Sequence, residues 1–284
     1  MGTCGFSFKD WKGTVYPQTL KDADILSYYS RSLGFDTVEI DSSYYSFLSR
    51  TTVAGWDRKT PPGFLFAVKC HREMTQNEEK DLDSLKFPDL ELFRKFLGSF
   101  DGLISSGKLL CFLAQFGPLF RKSAKTCDFL AAFREALGSF PLVAEFRHSS
   151  WLSPEEKDHT LRLLRDYSLL YAMVDLPHLR SLPPFVPAAT GEIAYMRLHG
   201  RNRNWFRATR EERYDYLYTD EELKEFIPAI TCLAGTVKHT MVFFNNCHAG
   251  AALRNALKLK DLMGLESPLP AQPMYIQGEL PLGN

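Results

Sequence analysis

The chain has 284 residues, 45% hydrophobic and 24% charged, and its 34 Lys and Arg residues balance 34 Asp and Glu residues. Such a composition is ordinary for a globular domain with a large core. The neutral balance argues against a protein that binds nucleic acid or a membrane through bulk charge. We find no apolar stretch long enough to span a bilayer and no leader segment, and therefore expect a cytoplasmic protein without a membrane partner. Six scattered cysteines with no C-x-x-C pair indicate reduced thiols rather than a disulfide framework.

Eight short apolar or β-branched runs, each bounded by turn residues, predict eight strands. In chain order they cover residues 2–6, 37–41, 64–69, 109–115, 141–146, 169–174, 193–199 and 240–245. Helical periodicity occupies residues 24–33, 90–103, 127–137, 155–167 and 251–263. Alternating strands and helices predict the α/β class, as a single TIM-like (β/α)8 barrel of parallel strands with outer helices, because such barrels typically use roughly 250 residues. We expect one domain over residues 1–284.

Two connections are longer than the rest. Residues of about 72–88 follow the third strand and are highly charged, and residues of about 200–219 follow the seventh strand and mix arginines with aromatic rings. Both leave the C-terminal ends of strands, so both are lid candidates. The second loop could also stack nucleic-acid bases, but the zero net charge favours a surface loop or a substrate lid. The tail after Leu265 is rich in proline and glycine, and we expect it on the outside of the fold.

Polar groups follow the predicted strands, and the alternation of side chains places many of them inside the barrel mouth. In the second strand, Val38 and Ile40 suit the layer between barrel and helices, which leaves Glu39 and Asp41 pointing inward. The predicted inward groups are Glu39, Asp41, Lys69, Glu145, Arg147, Asp175, Arg197, His199 and Asn245. Buried charges must pair, hydrate or bind a ligand. Any single one could simply lock the barrel mouth, but chemistry on this fold gathers at this rim.

Several reactions suit these groups, and we predict Glu39, Asp41, Lys69, Glu145 and His199 as the catalytic set. Glu39 or Asp41 could act as a base and His199 as an acid. A desolvated Lys69 could instead form a Schiff base. A divalent metal could be held by four oxygen and nitrogen ligands, namely Glu39, Glu145, Asp175 and His199. Neighbouring cations argue against that metal, as does the lack of an H-x-H or H-E-x-x-H motif.

An anion subsite is predicted where residues 245–250 follow the eighth strand and open the last helix. A loop of small residues at a helix N-terminus offers free N–H groups and a favourable dipole, although a well-capped helix would look the same. With this loop in mind, we predict the substrate-binding residues to be Arg147, Asp175, Arg197, Arg201, Asn245 and Asn246. The ligand would be a phosphate, sulfate or carboxylate. No nucleotide-binding motif is present, and no cofactor is predicted.

Several short motifs recur together along the chain. They are Gly2-Thr3-Cys4-Gly5-Phe6-Ser7, Val38-Glu39-Ile40, Glu145-Phe146-Arg147-His148, Arg197-Leu198-His199-Gly200 and Phe244-Asn245-Asn246. In these motifs the chain resembles the YecE-like family, known as domain of unknown function 72. The resemblance implies a TIM-like barrel and brings no activity or substrate. Asp41 stands where that family more often has asparagine, which adds a carboxylate to the mouth, and Cys247 stands where an acidic residue is expected, which weakens a metal role for that loop.

The leading hypothesis is a cofactor-independent enzyme that uses acid–base chemistry on a small polar or anionic substrate, phosphorylated compounds included. Glu39 and His199 would be the acid–base pair, Lys69 would assist, and Arg147 and Arg197 would clamp the anion. Two alternatives remain open at this point. One is a metal-dependent hydrolase or isomerase, including one that acts on nucleic acid, and the other is a non-catalytic protein that binds a small molecule.

Overall fold

A computed structural model describes residues 1–76 and 85–265, excluding the side chains of residues 210 and 211. Within those ranges the strands are β1 Gly2–Thr3, β2 Thr37–Ile40, β3 Leu65–Lys69, β4 Leu109–Phe116, β5 Leu142–Phe146, β6 Leu170–Asp175, β7 Ile193–Leu198 and β8 His239–Phe244. They form one sheet in the order β1-β8-β7-β6-β5-β4-β3-β2, with every paired neighbour parallel. The tail after Leu265, whose position was predicted, and much of the charged loop after β3 lie outside the described residues.

The sheet nearly closes on itself where β1 meets β2. The backbone N–H of Gly5 donates to the carbonyl oxygen of Glu39 at 2.7 Å, and Cys4 forms an isolated parallel bridge to the same residue. A Cβ atom on Gly2 would lie 2.2 Å from the carbonyl oxygen of Thr37, so only glycine permits this approach. The predicted TIM-like barrel is therefore confirmed. β1 is shorter than predicted because Gly5, with a φ of 89°, turns the chain out of the sheet.

The helices surround the strands. Their bounds are α1 Ile25–Ser27 (continued by a π-helical turn, Tyr28–Ser32), α2 Arg50–Lys59, α3 Arg72–Thr75, α4 Leu90–Gly98, α5 Asp101–Ser105, α6 Ala124–Leu137, α7 Lys157–Asp166, α8 Arg210–Arg213, α9 Asp220–Ala234 and α10 Ala251–Leu262. The predicted helix over 90–103 divides into α4 and α5 because Phe100 leaves the helical region of backbone dihedral angles. Among the described residues, no helix has both the length and the apolar character needed to cross a bilayer.

Among the described residues, two helices of ten residues or more escape the sequence prediction, as do the short α3 and α8. α2 begins at an N-cap, Ser49, whose hydroxyl accepts from the Thr52 N–H. α9 contains a proline and begins with a capping box, in which Thr219 and Glu222 satisfy each other's backbone N–H groups. The T-x-x-E pattern is a readable start signal for a helix. This pattern would have predicted the start of α9 from the sequence despite the internal proline.

Candidate functional site

Four charged side chains from β2, β5 and β7 meet in the barrel interior. Arg197 donates to Glu39 through Nη2 at 2.6 Å and through Nε at 2.9 Å, and it also donates to Glu145 through Nη1. Arg147, which directly follows β5, donates through Nε to Glu145. β2 and β7 are not neighbours in the sheet, so the contact between Glu39 and Arg197 crosses the inside of the barrel. We call Glu39, Glu145, Arg147 and Arg197 the buried network.

Two further side chains complete the hydrogen bonds of this network. The Oε1 atom of Gln115 accepts from Arg147 Nη2 at 3.2 Å and from Arg197 Nη1 at 3.3 Å. The Tyr195 hydroxyl donates to Glu39 Oε2 at 2.5 Å. Neither residue is among the predicted site residues. The alternation that turns Arg197 inward also turns Tyr195 inward, and Gln115 lies near the end of β4, so strand position alone could have found both.

The carboxylates of the buried network differ in their electrostatics. Burial raises the pKa of Glu39 above its ordinary value, against the opposing effect of Arg197. Burial also disfavours the charged form of Glu145, yet the Arg147 and Arg197 guanidinium groups hold its pKa well below the usual range. Glu145 is thus a fixed anion. Both oxygens of Glu39 accept hydrogen bonds from Arg197 or Tyr195, so the carboxylate is held inside the network and does not line the mouth cavity.

His199 lies beside the buried network and has no exposed surface. Asn245 Nδ2 donates to His199 Nδ1 at 2.8 Å, and the other ring nitrogen lies 3.6 Å from Glu145 Oε1. Burial, helped by the Arg147 charge, lowers the pKa of His199 well below its ordinary value. The imidazole is therefore neutral at neutral pH, and its Nε2 lies 3.2 Å from Arg147 Nη2 as well as near Glu145.

The long connection after β7 lies over the buried network and His199. Trp205 is almost fully buried, and its ring contacts the Arg147 guanidinium (Cζ to ring centroid 5.9 Å) and the Arg213 guanidinium (5.4 Å). The Trp205 and Tyr214 rings lie 6.4 Å and 6.3 Å from the His199 ring. The loop thus separates His199 from solvent, as a lid would.

Asp175 and Arg201 form a separate network. Asp175 accepts from the Tyr218 hydroxyl at 2.6 Å and from Arg201 Nε at 3.1 Å, and Arg201 donates onward to Glu225 at 2.8 Å. Burial raises the pKa of Asp175, although Arg201 and Tyr218 oppose the shift. These contacts tie the loop after β7 to α9. In the described part of the chain, the side chains of Asp175 and Arg201 therefore bond to the loop after β7 and to α9 and not to the buried network, although the Asp175 carbonyl accepts from the His199 N–H at 3.0 Å.

A cavity of about 900 Å³ opens at the barrel mouth, and Asp41, Lys69, Gln115 and Asn245 line it. Lys69 Nζ lies 3.5 Å from Asp41 Oδ1 and 4.4 Å from the centroid of the Tyr44 ring. Burial disfavours the ammonium group, but the nearby acidic groups, Asp41 foremost, together outweigh burial, and the pKa of Lys69 is raised. Asp41 Oδ1 has no hydrogen-bond partner in the described parts of the chain. Asp41 and Lys69 are thus the predicted catalytic residues that reach open space.

The predicted anion loop already holds a carboxylate of the chain itself. The backbone N–H of Ala249, in the 3-10 turn His248–Gly250 just before α10, donates to Asp10 Oδ2 at 2.7 Å. Asn246 is turned away from the cavity, because its amide donates to the Tyr216 carbonyl and to Asn255, both at 2.8 Å. An external anion at this loop would have to displace Asp10.

Cys4, Glu39 and Asp41 have the spacing of a metal site, with one potential ligand atom of each within 4.8 Å of the others. Arg197 Nη2 lies among these atoms, 2.6 Å from Glu39 Oε1, 3.6 Å from Cys4 Sγ and 3.8 Å from Asp41 Oδ1. Burial also raises the pKa of the Cys4 thiol well above its ordinary value. The guanidinium supplies the positive charge that these groups need, so the residues do not fit a metal without displacing Arg197.

The comparisons with known proteins agree with this architecture. A family model described as "Protein of unknown function DUF72" matches residues 1–276. The chain belongs to this family. It is 30% identical to the UPF0759 protein YunF of Bacillus subtilis over 263 residues. The aligned region covers 89% of this chain and 91% of YunF. The motif-based resemblance is thus confirmed.

Solved DUF72 structures share the fold. A DUF72 protein from Thermotoga maritima matches with a TM-score of 0.82 at 40% identity, over 93% of this chain and 98% of that one. One from Enterococcus faecalis matches with a TM-score of 0.81 at 26% identity, over 95% and 98% of the two chains. The DUF72 description carries no activity, so the chemistry of this member must be argued from the site itself.

Proposed function

We propose that this DUF72 protein is a cofactor-independent enzyme that binds a small anionic substrate in the mouth cavity and removes a proton from it. Asp41 is the base, and the Lys69 ammonium binds the substrate oxygen on which negative charge develops. The observation that carries the proposal is the Asp41–Lys69 ion pair in the cavity lining, in which Asp41 Oδ1 accepts no hydrogen bond within the described parts of the chain.

The charge of the cavity lining supports an anionic substrate. Three cationic side chains, Lys9, Lys69 and Arg213, line it against two carboxylates, Asp10 and Asp41. The Asp10 carboxylate is already engaged with a backbone N–H. The cavity is therefore a local excess of positive charge within a chain whose net charge is zero.

The state of Lys69 favours one of the predicted roles over the other. A Schiff base begins with attack by a neutral amine, which requires a lowered lysine pKa. The pKa of Lys69 is raised instead, so the ammonium form dominates at neutral pH. An ammonium group stabilises a developing oxyanion without accepting or losing a proton.

The buried network has a positioning role in this proposal. Arg197 Nη2 lies 3.8 Å from Asp41 Oδ1 and is held by Glu39 and Glu145, so it fixes the field around the base. Direct acid–base action by Glu39 remains a prediction, and it requires Arg197 to release the carboxylate. Direct action by His199 requires the loop after β7 to open.

Hydrogen–deuterium exchange tests the proposal without a known reaction. Small phosphorylated and carboxylated compounds are incubated with the protein in D2O, and proton NMR records the loss of C–H signals while calorimetry records binding. We expect Asp41→Asn to keep binding and lose exchange, and Lys69→Met to lose both. Lys238→Met serves as the matched control, because Lys238 forms an exposed ion pair with Glu192.

Three outcomes would overturn the proposal. Exchange that continues at the parent rate in Asp41→Asn removes that residue as the base. Binding that is unchanged in Lys69→Met removes the anion site, as does the failure of every anion in the panel to bind the parent protein.

A further inference from the structure

One wall of the mouth cavity consists of aromatic rings that the proposed proton transfer does not use. Phe6, Tyr44, Tyr45 and Trp56 line it, and we call them the aromatic wall. The Phe6 and Trp56 rings meet edge to face with centroids 6.5 Å apart, and the Tyr44 and Tyr45 rings do so at 5.0 Å. Tyr45 is 43% exposed, and the other three are partly exposed.

These rings come from three separate parts of the chain. Phe6 follows β1, Tyr44 and Tyr45 follow β2, and Trp56 lies on α2. Large rings usually bury their surface in the core, and this barrel buries many others completely. Three segments that each leave a ring partly exposed to one cavity indicate a surface that a ligand covers.

The aromatic wall adjoins the proposed anion site. Lys69 Nζ lies 4.4 Å from the centroid of the Tyr44 ring, so Tyr44 belongs both to the aromatic wall and to the surroundings of the anion site. A cavity of about 900 Å³ is also far larger than inorganic phosphate or acetate requires.

We propose that the substrate is cyclic, with an apolar ring face that packs on the aromatic wall and an anionic group, attached to that ring, that binds Lys69. This inference rests on the proposed function and narrows its substrate class. A planar unsaturated ring and a saturated ring could both offer such a face, because ring faces of either kind pack on aromatic side chains.

Calorimetry with ligand pairs that differ only in the ring tests the inference. Phenyl phosphate is compared with inorganic phosphate, and benzoate with acetate, while cyclohexanecarboxylate separates a planar from a saturated ring. We expect the ring-bearing ligand to bind about tenfold more tightly, which corresponds to about 1.4 kcal/mol. Trp56→Leu and Tyr45→Leu should reduce this preference and leave the affinity for inorganic phosphate unchanged, whereas Lys69→Met should weaken both.

The control is Tyr167→Leu, since Tyr167 lies at the end of α7 and lines a different cavity. Thermal melting of each variant establishes that it is folded. Because Tyr45 is exposed, we expect Tyr45→Leu to disturb folding less than Trp56→Leu. Equal affinity for ring-bearing and ringless anions in the parent protein overturns this inference alone. A preference for ring-bearing anions that is unchanged in both Trp56→Leu and Tyr45→Leu also overturns this inference alone. Failure of every ligand to bind overturns the proposed function as well.

Discussion

Replacement of Arg197 by methionine is the most direct perturbation of the buried network. The side chain has no exposed surface, and it joins Glu39 to Glu145 across the barrel. Methionine fills a similar volume without the charge. Glu145 keeps the guanidinium of Arg147, whereas Glu39 keeps the Tyr195 hydroxyl and loses its cationic partner.

Removal of one partner of a buried ion pair costs about 3–5 kcal/mol of unfolding free energy. We expect Arg197→Met to fall in that range at pH about 7, chiefly through the stranded Glu39 carboxylate. Burial already raises the pKa of Glu39, and loss of Arg197 removes a group that opposes the rise. A folded-state pKa above the unfolded value means that the folded protein binds more protons. The variant should therefore lose stability as pH rises through that pKa and approach the parent as pH falls.

Urea denaturation followed by circular dichroism, at several pH values between about 5 and 8, measures this difference. Arg50→Met is the matched control, because Arg50 forms an ion pair with Asp101 whose side chains are 75% and 59% exposed. Such a pair contributes about 1 kcal/mol or less. The double variant Arg197→Met, Glu39→Gln should recover stability and lose the pH dependence. A penalty no greater than that of Arg50→Met, or one independent of pH, would refute the reasoning.

Three further outcomes follow from the geometry. The lowered pKa of His199 means that the unfolded chain binds an extra proton below pH about 6.5, so the parent should lose more stability than His199→Gln as pH falls from there, measured by thermal melting. Gly2→Ala should destabilise by about 1–3 kcal/mol in urea denaturation, because its Cβ would lie 2.2 Å from the Thr37 carbonyl oxygen. Asp10→Ala should strengthen phosphate binding in calorimetry, because it frees the Ala249 N–H just before α10.

The first two of these predictions have a control variant, and all three have a contrary result. His159→Gln changes an exposed histidine and should keep the parent's pH profile, so an identical effect of both histidine variants contradicts the first expectation. Gly102→Ala adds a Cβ where nothing lies within 4 Å and should be tolerated, so an equal cost would contradict the second. Unchanged or weaker phosphate binding in Asp10→Ala would show that the loop does not take an external anion.

Strand periodicity carries enough information to locate the site. The alternation along β2 and β7 correctly turns Glu39 and Arg197 into the barrel, because side chains on a strand alternate by geometry whatever their chemistry. The same rule extends to Tyr195. The fold and the position of the mouth are therefore predictable from the sequence alone.

Which side chains bond to each other across the barrel is not predictable in the same way. Nothing in the sequence indicates that Arg197 bonds both oxygens of Glu39, or that Arg201 joins Asp175 at the end of β6 to Glu225 on α9. These partners are distant along the chain and meet only after the barrel closes. Asp10 is the clearest case. It lies 239 positions from Ala249, in a loop that the sequence gives no reason to place at the N-terminus of α10.

The pairing also sorts the predicted charges into two chemical kinds. Glu39 and Glu145 have cationic partners bonded to their oxygens, which hold both side chains in place and suit them to fixing a field. Asp41 has a buried oxygen without a hydrogen bond, next to a lysine that stays charged. A proton acceptor needs a lone pair that the protein has not already used. Among the carboxylates predicted as catalytic, Asp41 meets that condition at the cavity, and this is why the proposed base is the residue beside the network rather than one within it.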